Sequence, residues 1–193
     1  RQYTICDRNE GAAAVVVTGD GRSPGTSANR SVNIRASVQR SARFPLEQVP
    51  SHCATPTGNP SVHAETARQA YDEAGIRPGD LDLAEVQDTD AFCELEAYEE
   101  LGFCEPGQAG TYFEEGHTRR DGTLPVNVSG GLIAKGEPVG ASHLGQVHEL
   151  VLQLRGEAGD RQVPNAETGL AHVFGSNGHC GVTILEKPRT LKG

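Results

Sequence analysis

The region 124–143, with the sequence LPVNVSGGLIAKGEPVGASH, carries the densest chemical signal of the chain. Glycines and prolines surround the polar residues Asn127, Ser129 and Glu137, and a helix is predicted to begin at 141–142. Glycine backbone lets a ligand approach closely, and a helix N-terminus favours an anion or a developing oxyanion. A tight structural loop between a strand and a helix uses the same residues, so this pattern alone leaves both interpretations open.

Helical and extended segments alternate around this region. Ser61 is the predicted cap of a first helix, Gly75 is its predicted end, and Phe92 and Tyr98 are predicted to share the buried face of a second. The helix predicted over 142–155 is apolar enough to lie between two sheets. The other predicted segments are a strand over 81–86, a helix over 90–102, an extended run over 123–128, and strands over 170–174 and 182–185. This alternation is typical of an α/β fold in which helices cover a mixed sheet.

The first sixty residues give weaker signals. Ala12–Thr18 is a continuous apolar run that predicts a buried strand, and Val32–Arg40 alternates weakly, as a second strand would. Prolines and a glycine make 44–59 irregular, and we predict a boundary there between two parts, 1–58 and 59–193. Because the chain does not begin with methionine, we expect it to be a piece of a longer protein.

Composition excludes several classes of protein. The 193 residues carry 17 Lys and Arg against 26 Asp and Glu, and this net charge of −9 argues against nucleic-acid binding. No apolar run is long enough to span a membrane. The five cysteines are widely spaced and form no C-x-x-C pair, so we expect reduced thiols, a cytoplasmic protein and no metal site. Cys6 and Cys93 are interpreted as structural thiols.

Residues 125–142, written PVN-x-SGG-x-x-AKG-x-P-x-GAS, resemble the C-terminal signature of the thiolase superfamily, most closely its lipid-transfer or sterol-carrier type. Three further stretches resemble that family in the same order: NEGAAAVVV at 9–17, ARQAYDEAGIRPGDLDLAEVQDTDAF at 67–92 and HVFGSNGHCGVTIL at 172–185. The resemblance covers nearly the whole chain. It implies a layered αβαβα architecture, of which this chain supplies the C-terminal half and the end of the N-terminal half.

The chain departs from the family at two places. Condensing thiolases have Gly-His-Pro where this chain has Gly136-Glu137-Pro138, and the resemblance implies that the histidine helps to form an oxyanion hole. A carboxylate donates to an oxyanion only when protonated, but it can accept a proton. The family's Asn-Glu-Ala-Phe or His-Asp-Cys-Phe segment is replaced by Gln87-Asp88-Thr89-Asp90, which keeps a hydrogen-bonding side chain but loses the imidazole.

The glutamate version of the signature resembles thiolase-like retro-aldolases of steroid side-chain degradation. This resemblance implies cleavage of a β-hydroxyacyl-coenzyme A, with the thioester as substrate and no cofactor bound in this chain. Candidate acids or bases are Glu137, Asp88 and Asp90, and Cys180 lies near the position of the family's second catalytic cysteine. The candidate substrate-binding residues are Gln87, Asn127, Ser129, Gly130, Gly131, Gly136, Ser142, His172 and His179.

Two other functions remain open at this point. One is a condensing thiolase whose nucleophile lies outside this chain, and the other is a non-catalytic lipid-transfer or partner subunit. The resemblance also implies a thiolase-type homodimer and a small OB-fold subunit that carries a zinc ribbon. An apolar sheet face left open in a half of this fold would need such a partner.

Overall fold

A four-stranded mixed sheet forms the centre of the computed structural model, which describes residues 4–19, 31–41, 61–175 and 178–188. The strands are β1 (Asn33–Ser41), β2 (Leu83–Glu85), β3 (Thr168–Gly175) and β4 (His179–Glu186), in the spatial order β1-β4-β3-β2. β4 runs antiparallel to both of its neighbours, whereas β2 and β3 are parallel. The predicted mixed sheet covered by helices is therefore confirmed.

Within the described ranges, five helices lie around this sheet: α1 (Val62–Ala74), α2 (Ala91–Glu100), α3 (Ala109–Glu114), α4 (Gly131–Lys135) and α5 (Ser142–Arg155). Short 3₁₀ turns lie at Pro78–Asp80 and Gly159–Arg161. α1 packs on β1 and β4, while α5 packs mainly on β2 and β3. No helix in the described ranges is long and apolar enough to cross a bilayer.

The predicted ends of α1 are confirmed by their capping contacts. The Ser61 Oγ accepts a hydrogen bond of 3.0 Å from the backbone N–H of Ala64, as an N-cap should. Gly75 adopts a left-handed φ of 69° and its N–H donates to the carbonyl of Tyr71, which ends the helix. α5 also begins at Ser142, where the helix was predicted to begin.

Two separate apolar cores lie on the two faces of the sheet. The face under α1, called here the α1 face, buries Leu170, Val182 and Ile184 together with Tyr98 of α2. The opposite face, called the α5 face, buries Leu83, Leu150, Leu154 and Leu185. Alternating residues of β3 and β4 enter opposite cores, as the two-residue period of a strand requires.

Two predictions about buried apolar residues are wrong. Ala12–Thr18 is irregular, and Val16 is 91% exposed, because no strand of the described residues lies beside it to accept its backbone hydrogen bonds. In α2, Phe92 is exposed, and Cys93 and Ala97 face the core with Tyr98 instead.

The predicted domain boundary at 44–59 lies outside the described residues. β1, which precedes it, is hydrogen-bonded to β4 along its whole length. The division into 1–58 and 59–193 stays a prediction.

Candidate functional site

Glu137 is held by a segment that comes from the other end of the described sequence. Its backbone N–H donates to the carbonyl of Asp7 at 2.8 Å, and its own carbonyl accepts from the N–H of Asn9 at 3.5 Å. Cys6 N–H donates to the carbonyl of Thr89 at 2.9 Å, so this segment bridges the loop after β2 and the loop before α5. The backbone at Glu137 is thereby fixed on both sides.

The side chain of Glu137 is half-buried and accepts from two neutral groups. Gln87 Nε2 donates to Oε1 at 2.8 Å, and the Cys6 thiol lies 3.8 Å from Oε2. In the described part of the chain no Lys or Arg forms an ion pair with this carboxylate. A carboxylate held by neutral donors, with no cation to neutralise it, remains available to accept a proton.

Gln87 connects Glu137 to the sheet. Its side chain is almost fully buried, and its Oε1 accepts a hydrogen bond of 3.1 Å from the backbone N–H of Phe174 in β3. Both ends of the amide are therefore used, and the amide orientation is fixed by its partners. The predicted hydrogen-bonding role of Gln87 is directed at Glu137 and at β3.

Cys6 is a site residue that the sequence interpretation missed. The sequence predicts a structural thiol, but the Cys6 thiol lies against Glu137 in the wall of the same cavity. Burial, with the charges of Glu137 and Asp88, raises the pKa of Cys6 to about 11. The group is therefore a protonated donor to Glu137 at neutral pH. Nothing in the sequence pairs residues 131 positions apart, so no local pattern could have revealed it.

A broad cavity of about 2030 Å³ opens on the α5 face in front of Glu137. Six of the residues predicted for the site contribute to its wall: Glu137, Gln87, Asp90, Ser142, His179 and Cys180. Apolar side chains from 14–17, from β1 and from α5 line much of the remainder, together with polar residues and the arginines Arg8, Arg35 and Arg155. The cavity is thus wide and mainly apolar, with a carboxylate and an amide at one end, as an acyl group with a polar end would need.

Asp88 lies behind this wall. Its carboxylate accepts from the backbone N–H groups of Leu132 at 2.6 Å and Ile133 at 3.2 Å, which are in the first turn of α4. Burial raises the pKa of Asp88, whereas these two hydrogen bonds act in the opposite direction. Its oxygens are therefore used in fixing the loop that precedes Glu137.

The glycines of the loop allow neighbouring side chains to approach the backbone closely. A Cβ on Gly131 would lie 2.0 Å from Asp88 Oδ2, and one on Gly136 would lie 2.2 Å from Asn9 Nδ2. A Cβ on Gly130 would meet Ala134 at 2.9 Å, and all three glycines have positive φ. None of the three is among the residues that line the described cavity wall, so their role in binding substrate stays a prediction.

Ser129 and Asn127 also turn inward. Ser129 donates through its hydroxyl to Glu85 Oε2, and the Ser129 N–H donates to Glu85 Oε1 at 3.1 Å. Lys135 Nζ lies 2.6 Å from the same hydroxyl. The Asn127 Oδ1 accepts from the N–H of Val86 at 2.8 Å. These contacts tie the loop to β2 and leave neither side chain in the described cavity wall.

The remaining predicted residues at the cavity have structural contacts of their own. Asp90 caps α2, since its Oδ1 accepts from the N–H groups of Phe92 and Cys93 at 2.9 Å each. Ser142 donates through Oγ to the carbonyl of Pro138 at 3.1 Å. His179 is exposed, and its Nδ1 lies 2.7 Å from Ser41 Oγ.

His143 is a second cavity residue that the sequence did not assign. It follows Ser142, and its ring nitrogens lie 3.1 Å from Gln146 Oε1 and from Thr183 Oγ1. Burial lowers its pKa, so the ring is neutral at pH 7. Its place in the first turn of a helix beside the Glu137 loop was the signal that could have found it.

Cys180 and His172 lie on the side of the β3–β4 hairpin that faces α1. Burial raises the pKa of Cys180 to about 12, so the group is a thiol rather than a thiolate. His172 is fully buried in the α1 face, and burial holds its pKa well below the usual range. His172 does not line the cavity wall that the described residues form, so the structure separates it from Glu137.

The family model described as "Thiolase C-terminal domain-like" matches residues 49–187. That range contains β2 to β4 with all five helices.

Curated proteins and a solved structure resemble the chain in the same region. It is 44% identical to an acetyl-CoA acetyltransferase of Methanothermobacter thermautotrophicus over 76% of this chain and 37% of that protein. It is 46% identical to human sterol carrier protein 2 over 63% of this chain and 22% of that protein. A solved structure named as the Ltp2–ChsH2(DUF35) aldolase matches with a TM-score of 0.69 and 27% identity, over 83% of this chain and 40% of that one. The chain therefore spans less than half the length of these proteins.

Proposed function

Because this chain belongs to the thiolase C-terminal domain-like family, we propose that it supplies part of the active site of a thiolase-fold enzyme that acts on acyl-coenzyme A thioesters. The reaction we propose is retro-aldol cleavage of a β-hydroxyacyl-coenzyme A with a bulky apolar acyl group, such as a steroid side-chain intermediate. The observation that carries this proposal is the Glu137 carboxylate, held by Gln87 and Cys6 at one end of an apolar cavity. The aldolase named above supports the choice of reaction.

In this reaction Glu137 accepts the proton of the substrate's β-hydroxyl group. The oxygen forms a carbonyl as the Cα–Cβ bond breaks, and the electron pair of that bond moves into the enolate of the leaving acyl thioester. The proton held by Glu137 then returns to Cα, which regenerates the carboxylate. Gln87 and Cys6 fix the carboxylate, and the N-terminal turn of α5 at Ser142 faces the developing negative charge.

A partner surface is part of this proposal. Val16 and Val139 are the most exposed apolar side chains among the described residues, at 91% and 81%, and both border the cavity. Contiguous apolar surface of this kind is normally covered. We propose that a further segment, a second copy in a thiolase-type homodimer or an OB-fold zinc-ribbon subunit completes the cavity wall. The DUF35 component in the name of the aldolase supports the last of these.

Replacing Glu137 with glutamine tests the proposed base. Glu137→Gln keeps an acceptor and the side-chain volume but cannot take the hydroxyl proton, so cleavage should fall by about 10²–10⁴-fold. The measurement is release of the carbonyl product and the shortened acyl-coenzyme A from a β-hydroxyacyl-coenzyme A. Glu10→Gln is the matched control, because Glu10 is exposed on the same N-terminal segment and lies outside the cavity wall. Unchanged turnover in a folded Glu137→Gln protein would refute the assignment.

A condensing or thiolytic acyltransferase is the second candidate, favoured by the 44% identity to an acetyl-CoA acetyltransferase. Its nucleophile would lie outside the described residues. Supplying the protein with a β-ketoacyl-coenzyme A and free coenzyme A distinguishes the two, because only the acyltransferase forms two acyl-coenzyme A products. Binding of both substrates without turnover of either would instead favour the lipid-transfer function suggested by the identity to sterol carrier protein 2.

A further inference from the structure

Three side chains of types that ligate metals lie close together between α1 and the sheet, although they are far apart in the sequence. His63 is the second residue of α1, His172 lies in β3, and Cys180 begins the buried part of β4. His63 Nδ1 lies 2.9 Å from His172 Nε2, and a ring nitrogen of each histidine lies within 4.8 Å of the other and of the Cys180 sulfur. The cluster thus joins one helix to two adjacent strands.

The cluster is buried and incompletely satisfied. His172 and Cys180 are each 1% exposed, and His63 is half-buried. The His172 Nδ1 makes no hydrogen bond within the described part of the chain. Buried ring nitrogens almost always have a partner, so the described protein groups leave His172 incompletely satisfied at Nδ1, on the other side of the ring from the Nε2 that faces His63. Phe174, whose ring centroid lies 5.5 Å from that of His63, supplies an apolar wall beside the cluster.

We propose that His63, His172 and Cys180 form a binding site for a zinc-like divalent cation on the α1 face, distinct from Glu137 although Cys180 also borders the cavity. Imidazole and thiolate are the ligands that such ions prefer, and three protein ligands leave a fourth tetrahedral position for a small molecule. On binding, two ring nitrogens and the sulfur form bonds to the ion. The thiol proton passes to solvent, and the hydrogen bond between the two rings breaks.

The distances suit such an ion after small shifts. Bonds of about 2.0–2.3 Å around a tetrahedral zinc place the ligand atoms about 3.3–3.8 Å apart. The two ring nitrogens at 2.9 Å must therefore separate slightly. A distance to the Cys180 sulfur that reaches the 4.8 Å limit must shorten by up to about 1 Å. The charge of Glu100 acts on both His63 and Cys180, so a carboxylate is near enough to offset the charge of the ion.

The ion would clamp the N-terminal turn of α1 to the β3–β4 hairpin. In β3, the Phe174 N–H donates to Gln87, and Gln87 donates to Glu137. The ion would therefore bind on the α1 face of the same strand that supports the proposed base. The inference concerns folding and binding of metal and does not depend on the reaction assigned to Glu137. Its test accordingly reads metal binding rather than turnover.

Cobalt substitution tests the site directly. The metal-free protein is titrated with Co²⁺ in the absence of any other subunit, and we expect one ion per chain with a thiolate-to-cobalt absorption band and a rise in melting temperature. His63→Gln and Cys180→Ser should each abolish the band. His63 is half-buried at a helix end, so its variant should fold even where the Cys180 variant does not.

Two controls separate this cluster from other thiols. Cys104→Ser removes a half-buried thiol elsewhere in the fold, and Cys53→Ser removes the cysteine that lies outside the described residues; both should retain the band. Retention of the band in His63→Gln would overturn the proposal, as would the absence of any Co²⁺ binding to the unaltered protein. In the latter case a buried water or a shared proton accounts for the histidine pair.

Discussion

The polar residues of the two proposed sites differ in how far they are buried. On the α1 face, His172 is buried under a helix, and Cys180 is equally buried although it also borders the cavity. On the α5 face, Glu137 and Gln87 lie at the edge of a broad opening, because α5 covers β2 and β3 but leaves β1 bare. A fully buried side chain such as His172 can stabilise the fold, whereas a half-buried side chain such as Glu137 can also contact a substrate.

Isoleucines on opposite faces give the sharpest test of this contrast. Ile184 of β4 is fully buried in the α1 face, and Ile34 of β1 is 51% exposed beside the cavity. We expect Ile184→Ala to lower the free energy of unfolding by about 2–5 kcal/mol, since it leaves a cavity in a packed core. Ile34→Ala should cost less than about 1 kcal/mol in the chain alone. Urea unfolding of both variants measures the difference.

The same pair reports on the proposed partner surface. If a second protein surface covers the α5 face, Ile34→Ala weakens that association while leaving the fold of the chain unchanged. Equal losses of stability in the two variants, measured without a partner, would contradict the contrast between a closed and an open face.

Local patterns predicted most of the scaffold. The cap at Ser61, the stop at Gly75 and the start of α5 at Ser142 depend on neighbouring residues, so the sequence predicts them well. The strand predicted at Ala12–Thr18 is absent from the structure, because a strand is stable only beside another strand and an apolar run alone does not supply one. The short helices α3 and α4 were not predicted, since neither is long enough to display a helical period.

The candidate site was only partly accessible from the sequence. The resemblance identified Glu137 and Gln87, and the structure brings these two side chains together. It also identified Ser129 and Gly131, whose neighbours, Glu85 and Asp88, lie more than forty positions earlier in the sequence. Long-range pairs of this kind have no local signature, which is why the sequence could not show that this loop is held by Glu85 and Asp88.

A buried carboxylate on the α5 face provides the next test. Glu85 is 0% exposed, and burial raises its pKa to about 7, while the hydrogen bond from Ser129 acts in the opposite direction. A carboxyl group whose pKa is higher in the folded than in the unfolded state binds more protons when folded. Its contribution to stability is therefore full below about pH 4.5 and is lost as the pH rises through about 7.

Glu85→Gln should remove this dependence on pH. The amide can still accept from the Ser129 N–H and can donate to its hydroxyl, so the Ser129 contacts remain, whereas the 3.8 Å ion pair with the half-exposed Lys135 is lost. At pH 4.5 the variant should match the unaltered protein, and at pH 8 it should be more stable by up to about 3 kcal/mol. Denaturant unfolding across this range measures the effect. A variant less stable than the unaltered protein at pH 8 would mean that the ionised form is the one the loop requires.

Substitutions of Asp90 should have the smallest effect on stability. This residue borders the cavity but also caps α2. Its Oδ1 accepts from two N–H groups at the start of α2, so Asp90→Ala should lower the free energy of unfolding by about 1 kcal/mol. Asparagine caps helices about as well as aspartate, so Asp90→Asn should stay within a few tenths of a kcal/mol. Asp72→Ala, on the exposed side of α1, is the control for loss of a surface carboxylate.

If Asp90→Asn keeps its stability but loses cleavage of the β-hydroxyacyl-coenzyme A, Asp90 takes part in acid–base catalysis together with Glu137. Retained cleavage in that variant limits Asp90 to the cap, and leaves Glu137 as the base among the carboxylates at this end of the cavity.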